Sequence, residues 1–366
     1  MDGLTAADFQ LEDDEVVELL EQVKATIKKH FKIVDWLGIV IILAVAAAHY
    51  AAGEMLWFRI IGPSRSGKTE ILRAIAQHPD CVKLEVLTPA SLRGGLKKGF
   101  KVLSRLDGKL VITKDLASLL TTSREARTEI FGLLRPIKDG ELISDFGNEE
   151  GHVEQKVYFD WIAATTPMIE QQRQLESLLG ERFIDIRWRP GNSEEMAYQA
   201  ALNNPCLESE IRPQVAVDVC ILLGEASKIV PNMEITPDEL KVISQYADRT
   251  ARLRTPIQRD RFRNVISSPA PEIGTDLAQG FSRIVKGLKA LSIEWEPCLN
   301  RLMWDCMPEM RARVLECILK GITDEKVIAS TLGPALRTVE YIIEDLRLLK
   351  VIDKHNHPCI QLNLSK

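Results

Sequence analysis

The stretch Gly62-Pro63-Ser64-Arg65-Ser66-Gly67-Lys68-Thr69 decides the fold, because it fits G-x-x-x-x-G-K-[ST] in the one context where that pattern carries weight. Before it, Met55-Leu56-Trp57-Phe58-Arg59-Ile60-Ile61 reads as a strand, and after it Glu70-Ile71-Leu72-Arg73-Ala74-Ile75-Ala76 reads as a helix. Gly62 and Gly67 let the backbone wrap so that its N–H groups converge on phosphate oxygens. The helix N-terminus adds a partial positive charge under the same anion. In such a loop Lys68 reaches the β- and γ-phosphates and the Thr69 hydroxyl takes one Mg²⁺ position, with Pro63, Ser64, Arg65 and Ser66 completing the cradle. ATP and Mg²⁺ are the expected ligands.

Composition narrows the class. The chain has 366 residues, enough for two or three domains, and 47 Lys and Arg against 52 Asp and Glu, a formal net charge of −5. Such a balance gives no global attraction to nucleic acid or anionic lipid, so any contact of that kind needs a local patch. The seven cysteines include no C-x-x-C pair, which implies neither a zinc site nor a disulfide framework and points to a reducing, cytoplasmic setting. The acidic N-terminus does not read as a signal peptide. The apolar run from Trp36 to Ala52 is shorter than the roughly 20 residues of a membrane span. It reads instead as a buried helix packed on the nucleotide-binding sheet, with no membrane partner.

Outward from the loop, strand candidates Leu56–Ile61, Val82–Leu87, Leu110–Thr113, Tyr158–Ala164 and Phe183–Ile186 alternate with helices near 69–77, 90–105, 116–122, 123–135 and 168–179, the pattern of a parallel α/β sheet. Residues 1–54 read as an N-terminal helical segment, 55–190 as the nucleotide-binding core, 191–295 as a helical lid and 300–366 as three helices with a hairpin wing. Pro190-Gly191-Asn192 marks the middle boundary.

Asp115 ends Lys109-Leu110-Val111-Ile112-Thr113-Lys114-Asp115 at the interval where a phosphate-loop ATPase carries the acid that orients Mg²⁺ and water. The usual pair of acids is incomplete: Lys114 or Leu116 stands where the second belongs, which argues for slow hydrolysis. An Asp here also suits the cap of a following helix. Thr165 and Thr166 close the next strand, and Thr166 fits a γ-phosphate or water contact better. Arg182, in Gly180-Glu181-Arg182-Phe183, stands where a ring ATPase places the finger for a neighbour's γ-phosphate, worth roughly 10³–10⁵ in rate. A surface salt bridge is the plainer role. In Arg249-Thr250-Ala251-Arg252-Leu253-Arg254, Arg252 or Arg254 could meet phosphate from the lid.

Taken together, these motifs resemble the AAA+ ATPases over about 57–290, and more loosely the minichromosome-maintenance-like and phage or mobile-element replication ATPases that carry a C-terminal winged helix. The resemblance implies an AAA+ α/β core with a parallel sheet and helical lid, ATP held between subunits, and self-assembly into a ring, commonly a hexamer. It assigns Lys68 and Thr69 to Walker A, Asp115 to Walker B, Thr166 to sensor 1, Arg182 to the finger and Arg252 or Arg254 to sensor 2.

Two surfaces could hold DNA. Arg93, Lys97, Lys98 and Lys101 surround glycines and Phe100 in a connection that faces the pore in ring ATPases. In the tail, Arg337 and Thr338 open the helix that would enter a groove. The tail from 301 to 366 holds ten Lys and Arg against nine Asp and Glu, so protein docking is an equal use for it. A hairpin over 141–159 has an acidic tip suited to protein or a neighbouring subunit. The expected activity is a DNA-directed ATPase motor, helicase-like or acting in replication initiation. The alternatives are a slow ATP-dependent switch or scaffold, as in a regulatory or phage-defence complex, and a protein-remodelling ATPase.

Overall fold

A computed structural model describes residues 6–93, 102–116, 123–145, 152–172, 182–267, 270–360 and 362. Five strands make a wholly parallel sheet: β1 (Trp57–Ile61), β2 (Cys81–Lys83), β3 (Lys109–Thr113), β6 (Phe159–Thr165) and β7 (Ile184–Arg187), in the order β2-β3-β6-β1-β7. A separate antiparallel hairpin, β4 (Glu141–Asp145) and β5 (His152–Lys156), precedes β6. Parallel pairing demands crossovers, and these are supplied by α3 (Lys68–Ile75), α4 (Pro89–Arg93), α5 (Val102–Leu106) and α6 (Arg124–Lys138). The chain leaves β1 towards one edge and later returns to place β7 on its other side. That reversal opens a crevice at the carboxyl ends of the strands, where ligands of open α/β sheets bind.

Alternation along the strands separates two cores. Phe58, Ile60, Ile112, Ile162, Ala164 and Ile186 belong to the larger one, shared with the helices that precede and follow the sheet. Trp57, Val111, Phe159, Trp161 and Ala163 face the other way, onto Ile130, Leu134 and Ile137 of α6. The Trp57 ring lies 5.6 Å from Phe159, 5.3 Å from Trp161 and 5.5 Å from Phe183.

The N-terminal helices are α1 (Ala6–His30) and α2 (Trp36–Ala47). Asp35 caps α2 by accepting the Gly38 N–H, and residues 38–47 are all buried. The apolar run is thus a core helix, as expected, and no helix among the described residues is long and apolar enough to cross a membrane. The helical region comprises α7 (Ser193–Asn203), α8 (Arg212–Ile229), α9 (Pro237–Arg254) and α10 (Thr275–Ala290), with Asn192 capping α7 and a Thr236–Glu239 capping box opening α9. The tail holds α11 (Trp295–Asp305), α12 (Glu309–Leu319), α13 (Glu325–Leu332), α14 (Leu336–Leu348) and a hairpin closed by Asp353 N–H to His357 O at 2.8 Å. Trp304, Met307, Val314 and Leu315 share one core with Phe281 of α10, so the apolar interior continues from the helical region into the tail.

Several local expectations change. The strand sought over 82–87 pairs only at Cys81–Lys83. The helix sought over 90–105 appears as α4 and α5, with the residues between them outside the described set. The one sought over 168–179 begins as a 3₁₀ turn, Pro167–Gln172.

Candidate functional site

The loop after β1 is a closed turn at the crevice. β1 is buried at all five positions and holds its direction between β6 and β7. Gly62 follows at a point where a Cβ would stand 2.7 Å from Cβ of Trp188, so only glycine passes. Arg65 (φ 60°) and Gly67 (φ 88°) both take the left-handed conformation that turns the chain into α3. Trp188 Nε1 donates to the Ser66 carbonyl at 2.7 Å, and Ser66 Oγ donates to the Pro63 carbonyl at 2.7 Å. Lys68 Nζ donates to that same carbonyl at 2.7 Å. Pro63, Ser64 and Arg65 are exposed, Ser66 and Lys68 are buried, and Thr69 is half-buried at the first turn of α3.

Asp115, exposed just after β3, is the charge that Lys68 senses. Burial pushes the Lys68 ammonium below its ordinary value, and the Asp115 carboxylate opposes that shift. The neighbouring Lys114 turns to Glu85, 2.8 Å away, so the position beside Asp115 carries an ion pair in place of a second acid. At the end of β6, Thr165 is fully buried beside Ile61, its carbonyl accepting the Gly62 N–H at 3.1 Å. Its hydroxyl has no hydrogen-bond partner among the described residues. Thr166, the residue favoured from the sequence, is only half-buried.

The structure brings Lys68, Thr69 and Asp115 to one end of the sheet and leaves the arginines at the other. β7 runs parallel to β1 with Phe58 opposite Ile184 and Ile61 opposite Arg187. Arg182 therefore lies beside the start of β1, while the loop follows its end. There Arg182 pairs with Asp276 at 3.2 Å and Asp139 at 3.6 Å. Arg254 is buried at the same end, donating to the Phe183 carbonyl at 3.2 Å and to Glu272 at 3.0 Å. Arg252 pairs with Asp248 on its own helix at 3.6 Å. Among the described residues, no contact joins Arg182, Arg252 or Arg254 to the loop of the same chain.

The helical-region arginine that does reach α3 is Arg212. It makes a bidentate pair with Glu70, both contacts at 2.8 Å, and Glu70 holds its charge on the first turn of α3. Nothing in the local sequence singles Arg212 out, because its partner lies 142 residues earlier. Ile33 carries no local sequence signal either; its side chain lies against the loop, where a Cβ on Gly67 would stand 3.3 Å from it.

The two surfaces proposed for DNA divide. Arg93 is exposed at the end of α4 and pairs with Glu129 of α6 at 2.8 Å; Lys97, Lys98 and Lys101 lie outside the described residues. Arg337 and Thr338 are exposed at the start of α14, Arg337 pairing with Glu340 at 3.1 Å and resting over the Tyr341 ring at 5.0 Å.

The residues fit a phosphate ligand with Mg²⁺ in three respects: a left-handed loop at a helix N-terminus, a buried ammonium that donates to a loop carbonyl with the Asp115 carboxylate nearby, and, at the end of β6, a buried hydroxyl with no hydrogen-bond partner among the described residues. Among the described residues no three His, Cys, Asp or Glu side chains gather into a metal-binding group. Mg²⁺ bound through one carboxylate, a hydroxyl, water and phosphate needs no such group.

No protein-family model and no curated protein matches the chain. Among solved structures, it is similar to the A form apo structure of the NrS-1 C-terminal region at 14% identity and a TM-score of 0.29, covering 64% of this chain. The chain spans about half the length of that structure, 54%. A likeness of that degree carries no inference about activity.

Proposed function

We propose that the chain is a P-loop ATPase of AAA+ organisation, with a C-terminal winged helix, that assembles into a ring and works on DNA. The observation that carries the reading is the meeting of Lys68 and Asp115 at the carboxyl ends of β1 and β3, across β6, in a five-stranded parallel sheet. In this reading Lys68 leaves the Pro63 carbonyl for the phosphates and the backbone of 62–67 cradles them. Thr69 and Asp115 hold Mg²⁺, Asp115 directly or through water. ATP with Mg²⁺ supplies a γ-phosphoryl group open to attack by water. Asp115 with Thr165 or Thr166 positions that water.

Arg182 and the loop stand at opposite ends of one sheet, so in this reading Arg182 would leave Asp276 and Asp139 to serve a neighbour's site rather than its own. The reading therefore requires self-assembly, and the expected ring is a hexamer.

A second reading, a slow ATP-dependent switch that assembles a scaffold, is favoured by one specific observation: Lys114 is engaged with Glu85 where a second acid would speed hydrolysis. The test is steady-state ATP turnover and nucleotide binding, with and without single-stranded and duplex DNA. Lys68→Ala is expected to abolish both binding and turnover. Arg182→Ala is expected to abolish turnover and spare binding. DNA stimulation of several-fold favours the motor; slow turnover indifferent to DNA favours the switch. Unchanged nucleotide binding in Lys68→Ala would sink both.

A further inference from the structure

Between α9 and α10 the chain folds back into a short hairpin. Arg259 and Val265 bridge antiparallel, Ile266 N–H donates to the Gln258 carbonyl at 3.0 Å, and Asp260 N–H donates to the Asn264 carbonyl at 2.9 Å. The Asp260 carboxylate fixes the tip by accepting the N–H groups of Phe262 at 2.7 Å and Asn264 at 2.9 Å. The root is fixed as well. The Arg259 side chain pairs with Glu344 at 2.8 Å and Asp345 at 2.5 Å on α14 and lies over the Tyr341 ring at 4.8 Å. A rigid root and a locked turn therefore present Arg261, Phe262 and Arg263 to solvent.

What they present is unusual for a solvated turn. Phe262 is 69% exposed, with the Arg261 guanidinium 4.6 Å over its ring. Among the described residues no carboxylate pairs with Arg261 or Arg263. Arg263 has φ 71°, a conformation that glycine or asparagine adopts more readily, so the backbone does not explain an arginine there. The nearby acids are already engaged: Asp260 in the turn, Glu344 with Arg259 and Glu340 with Arg337. Tyr341 lies under both Arg259 and Arg337, so the hairpin and the start of α14 form one surface.

We propose that this hairpin tip is a contact site for single-stranded nucleic acid, in which Phe262 stacks on an unpaired base, Arg261 and Arg263 take the flanking phosphates, and Arg337 extends the track. It deepens the DNA-directed reading above and rests on it for the class of polymer. A single exposed ring between two cations matches a base between two phosphates, and the ring face is usable only by a base freed from its duplex neighbours.

The test uses the full chain, labelled oligonucleotides of about 20 nucleotides as single-stranded DNA, single-stranded RNA and duplex DNA, and fluorescence anisotropy over a range of salt. Wild-type protein is expected to bind single strands in preference to duplex. Phe262→Ala should lose about tenfold in affinity and Phe262→Trp should keep it. The double variant Arg261→Ala, Arg263→Ala should flatten the salt dependence by about 0.7 in slope per arginine. Arg263→Gly separates binding from structure: it should match or exceed wild-type stability while binding more weakly. Basal ATP turnover should be unchanged in all of them. Wild-type affinity in every variant overturns the proposal, as does equal preference for duplex. Failure of the wild type to bind any single strand overturns it too, and intact ATP turnover would then leave the ATPase reading standing. Hairpin-dependent binding without any ATP turnover supports the proposal and sinks the ATPase reading instead.

Discussion

The Thr165 hydroxyl is fully buried at the carboxyl end of β6 and has no hydrogen-bond partner among the described residues. A buried polar group left so costs about 1–3 kcal/mol. Thr165→Val keeps the shape and removes that cost, so the free protein should gain about 1 kcal/mol, read from urea unfolding midpoints. If the hydroxyl faces bound phosphate or its attacking water, the same variant should lose ATP turnover. Thr166→Val, at a half-buried position, should change stability by no more than about 0.5 kcal/mol. Loss of stability in Thr165→Val would mean that the hydroxyl has a partner after all. The choice between these threonines was not legible in the sequence, because a one-residue uncertainty in a strand reverses which side chain faces inward. Lys68 was legible because all eight residues of its loop are consecutive. The partners of Arg182 and Arg254 were not, because Asp276, Asp139 and Glu272 reach them only through tertiary packing.

At the scale of elements, α2 and α10 cross so closely that a Cβ on Gly287 would collide with the Ala44 carbonyl oxygen and sit 3.3 Å from the Ala48 nitrogen. Both obstacles are backbone and cannot swing aside. Gly287→Ala should therefore destabilise by about 1–3 kcal/mol, the cost of overpacking. Gly224 lies in α8 with nothing within 4 Å of its Cβ position, so Gly224→Ala should stabilise by about 0.8–1 kcal/mol through helix propensity alone. Paired thermal melts of the two variants would reveal the contrast, and equal effects would refute the close crossing. The burial of α2 was readable from its composition, since ten successive residues without a charge suit no exposed helix. That α10 is its main cover was not readable, because the glycine permitting the approach lies some 240 residues away and looks like any other helical glycine. The strands after β1 are legible in period and position. β2 came out shorter than its apolar run suggests, because an edge strand keeps only the residues its one neighbour, β3, can pair.

Across the whole molecule, buried ion pairs join parts of the chain far apart in sequence. Arg301 of α11 holds Asp35 before α2 in a bidentate pair, bonds the Arg187 carbonyl at the end of β7 at 3.0 Å, and meets Asp305 at 3.2 Å. Arg283 of α10 holds Asp160 of β6 at 2.7 Å and the Ala48 carbonyl at 2.8 Å, while His49 meets the same carboxylate at 2.8 Å. Burial alone would raise the pKa of Asp35 and of Asp160, but the bonds and charges of their partners outweigh it, and both lie below the ordinary aspartate value of 3.8. A carboxyl depressed by folding stabilises above its unfolded pKa and loses that contribution as pH falls through the folded one. Both contributions are thus present at neutral pH and disappear below about pH 3.8. Asp305 acts in the opposite sense, since burial raises its carboxyl despite Arg301, so protonating it in acid partly offsets the loss. Asp35→Asn leaves Arg301 without its bidentate partner, and breaking a buried pair in this way should cost about 3–5 kcal/mol at neutral pH. Because Arg301 links the N-terminal segment, the sheet and the tail, and because one core runs through all three, that loss should shift a single unfolding transition of the whole chain. Its acid limb should also be shallower than in wild type. Urea unfolding at pH 3 to 7, followed by tryptophan fluorescence and circular dichroism together, decides the matter: coincident curves support one cooperative unit. An early transition confined to the tail would mean that Asp35 and Arg301 join two bodies that unfold independently.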